Sequence, residues 1–140
     1  MKLNCILLVD DDEITNFLNK RILRNVDAAT HIVAVESGEE ALDYLRRTGI
    51  YKNSNVPKPD LILLDINMPG ISGFEFMEEY KTLCSKKKCD MVVIMLTKSI
   101  FAHDEIRASA IDEIQSIKYK PLTEELAREL VENYHRQLAM

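Results

Sequence analysis

The sequence predicts a doubly wound α/β fold built on a five-stranded parallel sheet, and three observations carry that expectation. Short aliphatic runs alternate along the chain with amphipathic stretches, the pattern of strand-helix units around a parallel sheet. Several runs are nearly continuous in apolar residues, which suits strands covered by helices on both faces. At 140 residues the chain has the length of one ordinary domain, so residues 1–140 are expected to form a single unit.

The first run, Cys5 to Val9, is predicted as a strand. It is followed by Ile14, Phe17, Leu18 and Ile22, whose spacing of three and four puts them on one helical face, expected to pack inward. Ile32 to Val35 forms the second strand. Ser37 with Glu40 has capping-box spacing and marks the start of the second helix. The stretch from Thr48 to Pro59, with Gly, Asn, Ser and two Pro residues, reads as a surface loop without chemistry. Leu61 to Leu64 is the third strand. Ser72 with Glu75 opens the third helix, whose Met77, Tyr80 and Leu83 face the core. The lysine run Lys86 to Lys88 reads as a solvated loop. Met91 to Leu96 and, more weakly, Ser116 to Tyr119 complete the strands. The last helix opens near Thr123 and carries Leu126, Leu130, Val131, Tyr134 and Leu138 on one stripe, leaving nothing for a second domain.

Composition narrows the function. Eighteen Lys and Arg against 23 Asp and Glu give a net charge of −5, which disfavours direct nucleic-acid binding. The N-terminal apolar run carries one lysine and ends in three aspartates, so neither a signal peptide nor a membrane span is expected, and a cytoplasmic location is. Cys5, Cys84 and Cys89 make an odd count that suits no disulfide framework and are expected as reduced thiols. The lysines between Cys84 and Cys89 repel a zinc ion. His31, His103 and His135 are isolated, without the spacing of a metal or phosphohistidine site.

The carboxylates carry the chemistry. Asp10, Asp11 and Asp12 stand where the first strand ends, and Asp65 stands where the third ends. In a parallel α/β sheet, ligands bind in the crevice beyond the C-terminal strand ends, so these acids are expected to meet there. Two like charges about 4 Å apart repel by about 4 kcal/mol at an effective dielectric of 20, so the cluster needs a cation or raised pKa values. All-oxygen ligands without His or Cys favour Mg2+. Thr97 and Lys120 end the fourth and fifth strands on the same rim. A carboxylate nucleophile, a metal, a lysine and a hydroxyl are the parts that phosphoryl transfer requires.

The strings Leu7-Leu8-Val9-Asp10-Asp11, Leu63-Leu64-Asp65-Ile66-Asn67-Met68-Pro69-Gly70, Met95-Leu96-Thr97 and Lys120-Pro121 stand in order along the chain. In them the sequence resembles the receiver domains of two-component response regulators, of the stand-alone, chemotaxis-regulator-like kind. The resemblance spans essentially the whole chain. It implies a flavodoxin-like sheet of order 2-1-3-4-5 and a phosphoacceptor at Asp65, and it implies signalling through a phosphorelay rather than turnover as an enzyme. It further implies Mg2+ bound by Asp11 and Asp65, by Asp10 through water and by the carbonyl of Asn67. Thr97 would hydrogen-bond the phosphoryl oxygen, Lys120 would pair with it, and the Lys120 to Pro121 peptide would be cis. The implied partners are a sensor histidine kinase or phosphotransfer protein upstream and an unnamed protein downstream of a helix 4, strand 5 and helix 5 face. With no output domain attached, a monomer or weak dimer is expected.

Two departures from the family pattern stand out. An aromatic residue usually lies three positions before the lysine, and Ile117 is there instead. Tyr119 shares its strand face by alternation and is a partial substitute. The residue after the threonine is usually small, and here it is Lys98, which with Ser99 is a candidate modulator of the phosphate site. Taken singly, each site residue has a plainer role: Asp12 as a helix N-cap, Asp65 as a turn former, Thr97 as a strand former, Lys120 as a solvated cation. Two other functions compete. A pseudo-receiver that only binds protein would be expected to lack an acid or the lysine. A haloacid-dehalogenase-type phosphatase fits Asp10-x-Asp12 superficially, but Ile14 stands where that motif calls for Thr or Val, and Asp65 would have no purpose.

Overall fold

The structure is a computed structural model and describes residues 2–86, 91–98 and 100–138. Strands β1 (Leu3–Val9), β2 (Ala29–Val35), β3 (Leu61–Asp65), β4 (Val92–Thr97) and β5 (Ile114–Tyr119) alternate with helices α1 (Glu13–Asn25), α2 (Gly38–Arg46), α3 (Gly73–Lys86), α4 (Ala102–Ser109) and α5 (Glu124–Leu138). All strand pairings are parallel and the order is β2-β1-β3-β4-β5, the doubly wound receiver topology expected from the sequence.

Strand alternation divides the core in two. Ile62 and Leu64 of β3 pack with Leu42, Leu45, Phe76, Met77 and Tyr80 under α2, α3 and α4. Leu61 and Leu63 point the other way and pack with Leu23, Ala127, Leu130 and Tyr134 under α1 and α5. β3 is buried along its whole length, which explains its unbroken aliphatic run. β2 lies at the sheet edge and begins three residues earlier than the aliphatic signal, because Ala29, Thr30 and His31 need only the ladder to β1.

The orientation of α1 overturns the expectation for three of its four residues, while Ile22 packs, partly buried, against the core beneath α1 and α5. Ile14, Phe17 and Leu18 are 69%, 65% and 47% exposed, and the buried residues are Asn16, Asn19 and Leu23. Periodicity identifies residues that share a face but not which face meets the core. Here the choice falls to Asn16, whose side-chain amide donates to the carbonyls of Asp10 (2.8 Å) and Val35 (3.3 Å) and must therefore lie against the sheet.

Both marked helix starts are capped through serine. Ser37 Oγ accepts from the Glu40 amide, and Ser72 and Glu75 exchange reciprocal bonds of 3.0 and 3.2 Å. Thr123 Oγ1 accepts from the Leu126 amide at the start of α5. The loop after α2 contains a 3-10 turn (Gly49–Tyr51) and is fastened down: Tyr51 donates to Glu40 at 2.7 Å and Tyr44 to the Pro57 carbonyl at 2.6 Å.

The cysteines divide. Cys84 is disulfide-bonded, contrary to the expected reduced thiols, since an odd count excludes a complete framework but not a single bridge. Cys5 is free and buried, and burial pushes its thiol up to about 11, so it is no nucleophile at neutral pH. Cys89, Lys87 and Lys88 lie outside the described residues, as do the side chains of Lys86 and Leu138. No helix among the described residues is long and apolar enough to cross a membrane.

Candidate functional site

Parallel strands deliver their C-terminal residues to one edge of the sheet. Asp10 follows β1, Asp65 closes β3, Thr97 closes β4 and Lys120 follows β5. There they line a cleft of about 280 Å³ together with Asp11, Asp12, Thr15, Asn67 and Lys98. The ladder places Asp65 beside Leu96 and Thr97 beside Tyr119, and the Lys120 amide donates to the Thr97 carbonyl at 2.8 Å. The Lys120 ammonium lies 2.6 Å from Asp10 Oδ2 and 3.3 Å from Asp65 Oδ1, with all three side chains nearly buried.

Local structure fixes each group. The Asp10 amide continues the β1 ladder to the Val35 carbonyl, its carbonyl takes the Asn16 amide, and its Oδ1 accepts from the Asp12 amide at 2.9 Å. Asp12 is the N-cap of α1, accepting from the Ile14 amide and, at 2.7 Å, from the Thr15 hydroxyl. That hydroxyl leads the influences that hold the Asp12 carboxyl below its ordinary range, with the Lys98 charge among the lesser ones. Behind Asp65, Gly73 brings α3 close to the strand end. A Cβ there would lie 2.6 Å from the Asp65 carbonyl oxygen and 3.0 Å from Ile66 Cα, so only glycine allows the approach. Gly70 turns the intervening chain with a φ of +79°. The Lys120-Pro121 peptide is cis.

Burial pushes the Asp65 carboxyl above its ordinary value. Lys120 draws it down, Asp10 raises it again, and the net direction is upward. Burial alone would lower the Lys120 ammonium, but its hydrogen bond to Asp10 and the charges of Asp65 and Asp10 carry it above the ordinary value. Carboxylate oxygens of Asp10, Asp11 and Asp65 all lie within 4.8 Å of one another. Lys120 pairs with Asp10 and Asp65 but not with Asp11, which leaves negative charge uncompensated in the group of three, and an all-oxygen donor set fits a hard divalent ion such as Mg2+.

The candidate residues Asp10, Asp11, Asp65, Asn67, Thr97, Lys98 and Lys120 thus share one cleft. Ile117 is not among its lining residues. It pairs with Met95 in the sheet and packs against the core beneath α2, α3 and α4. Tyr119 is 59% exposed, so it does not take up the core position of Ile117. Ser99 lies outside the described residues. Sequence reasoning missed Thr15, Asn16 and Gly73. A capping motif running Asp12 to Thr15 was visible, but the inward turn of Asn16 and the close approach at Gly73 depend on how α1 and α3 meet the sheet.

The Asp65 shift has a consequence for stability. A carboxyl with a raised folded pKa makes the native state bind more protons than the unfolded chain between the two values, so stability falls as pH rises through that window. Asp65→Asn is therefore expected to stabilise the Mg2+-free protein at pH 7 by about 1 kcal/mol. The gain should vanish below the ordinary aspartate value of 3.8. Urea unfolding of both proteins with chelator across that range checks this, and a less stable mutant at pH 7 would overturn it.

Similarity to known proteins agrees with the geometry. The chain is 32% identical over 104 residues to response regulator Rcp1 of Synechocystis sp., covering 74% of this chain and 67% of that protein. A two-component response regulator from Cytophaga hutchinsonii superposes with a TM-score of 0.84 at 32% identity, over 97% of this chain and 99% of the other. The phosphorylated cyanobacterial phytochrome response regulator RcpA superposes with a TM-score of 0.74 at 29% identity, over 96% and 92%. The family model of the response regulator receiver domain matches residues 6–132, and this chain belongs to that family.

Proposed function

We propose that this chain takes a phosphoryl group onto Asp65 from a phosphohistidine of a sensor histidine kinase or phosphotransfer protein, and relays the signal by changing shape. Receiver domains are signalling phosphoacceptors rather than conventional enzymes, which excludes the haloacid-dehalogenase reading; Asp12, moreover, is committed to capping α1. The observation that carries the proposal is the Asp65 carboxylate itself, held within 3.3 Å of Lys120 and surrounded by acids it can share a cation with. The complete set of acids and the lysine also argues against a pseudo-receiver.

In the transfer, an Asp65 carboxylate oxygen bonds to phosphorus as the phosphorus-nitrogen bond to the donor histidine breaks, leaving a neutral imidazole after proton uptake from solvent. Asp11, Asp65, the Asn67 carbonyl and, through water, Asp10 would hold Mg2+, which neutralises phosphoryl charge. Lys120 is close enough to exchange its Asp65 carboxylate partner for a phosphoryl oxygen, and the Thr97 hydroxyl, buried at the same strand edge, would hydrogen-bond another. On this reading the protein acts in the cytoplasm as a monomer or weak dimer and passes its signal to a separate protein.

The exposed face of α1 fits the donor. Ile14 and Phe17 are exposed on the same helix as Leu18, which with Ile22, Pro121 and Leu122 lines a groove of about 470 Å³ that shares Lys98 and Lys120 with the acidic cleft. An apolar surface adjoining the acceptor suits the helix of the protein that carries the phosphohistidine.

Three outcomes are expected. Acetyl phosphate with Mg2+ should add one phosphoryl group to the chain and none to Asp65→Asn; equal modification of both by intact mass would remove Asp65 from its role. Phe17→Ser should slow transfer about tenfold from whichever kinase or phosphotransfer protein of the same genome transfers fastest, as loss of an interface aromatic does, while leaving acetyl phosphate labelling unchanged. Equal transfer rates would move the donor to another face. The third concerns the switch, where an aliphatic Ile117 in the core has neither ring nor hydroxyl to reorient. Amide NMR with a stable phosphoryl mimic should show large shifts at Thr97, Lys98 and in α4 and small ones at Ile117, and the reverse pattern would refute a switch without the aromatic.

A further inference from the structure

Two ammonium groups line the acidic cleft, and they are held differently. Lys120 is committed to Asp10 and Asp65. Lys98 is exposed and makes no salt bridge or hydrogen bond with any described residue, although it lines the same cleft. Its backbone position is set, because it directly follows the buried, ladder-paired Thr97 at the end of β4. It also lines the apolar groove beside α1, so it stands at the boundary between the two cavities. Its charge reaches the site's rim as far as Asp12.

A phosphoryl group changes the charge balance at this point. Phosphorylation of a carboxylate replaces a single negative charge with one approaching two, spread over oxygens that each seek a donor. Lys120 is already divided between two acids and the Thr97 hydroxyl is neutral. The remaining cation among the described lining residues is Lys98, whose flexible four-carbon stem gives it reach from the rim.

We infer that Lys98 is a second phosphate-binding cation of this site, unpaired beforehand and paired with the phosphoryl group once Asp65 carries it. The inference rests on the phosphoacceptor reading and adds a residue to it. Because a cation at the rim attracts the phosphoryl group and repels Mg2+, Lys98 affects the two in opposite directions, which a merely structural residue does not.

Beryllium trifluoride, which adds to a carboxylate oxygen as a phosphoryl mimic, provides the test, with Mg2+ affinity measured separately in its absence. Lys98→Ala and Lys98→Met should each weaken mimic binding about fivefold, as expected for a partly exposed charge-assisted contact, with Mg2+ binding unchanged or tighter. Lys98→Arg should stay within about twofold of the unmutated protein. Retention of mimic affinity by Lys98→Met would show that bulk rather than charge matters and would overturn the inference, as would equal weakening of mimic and Mg2+. An unmutated chain that takes up neither mimic nor phosphoryl group would bring down the phosphoacceptor reading and this inference together, whereas normal labelling of Asp65 with unaltered Lys98 variants would bring down the inference alone.

Discussion

One buried cation organises the functional edge of this molecule. Asp10 and Asp65 stand at the ends of the adjacent interior strands β1 and β3, where unpaired carboxylates would be costly, and Lys120 lies between them at 2.6 and 3.3 Å. That arrangement needs β5 to end level with β1 and β3, which the bond from the Lys120 amide to the Thr97 carbonyl secures. The compensation is incomplete. Asp65 remains destabilised as an anion by its burial and by Asp10, so the group proposed to carry the chemistry is also the one held in tension.

Much of this was legible in the sequence because parallel α/β folds tie chemistry to chain position. An aliphatic run followed by a polar residue identifies a strand end, and four such ends gave Asp10, Asp65, Thr97 and Lys120 before any distance was known. The α1 face was not legible. Ile14, Phe17, Leu18 and Ile22 form a convincing apolar stripe, yet the sheet is met by Asn16, whose two hydrogen bonds tie it to β1 and β2. An apolar stripe left exposed and one turned to the core have the same period. Gly73 escaped notice for a related reason, since nothing in its immediate neighbours announces that a strand carbonyl lies where its side chain would be.

The two faces of the site differ in character. Toward α3 it is walled by backbone packed too closely for a methyl group, while toward α1 it opens into an apolar groove with lysines at its boundary. The Asp65 carboxylate is thus fixed from behind and open in front, which separates the demands of rigidity from those of access.

Gly73 also constrains how the chain can vary in length. Its close approach to Asp65 and the hydrogen bond its amide donates to the Ile66 carbonyl close residues 66–73 into a ring of fixed circumference. A residue inserted there would push α3 off the strand end and displace Asp65. The loop before β3 is tethered by side-chain hydroxyls of Tyr44 and Tyr51, which reach across gaps without setting a residue count. Lengthening and shortening among descendants of this sequence should therefore collect before β3 and be purged after it.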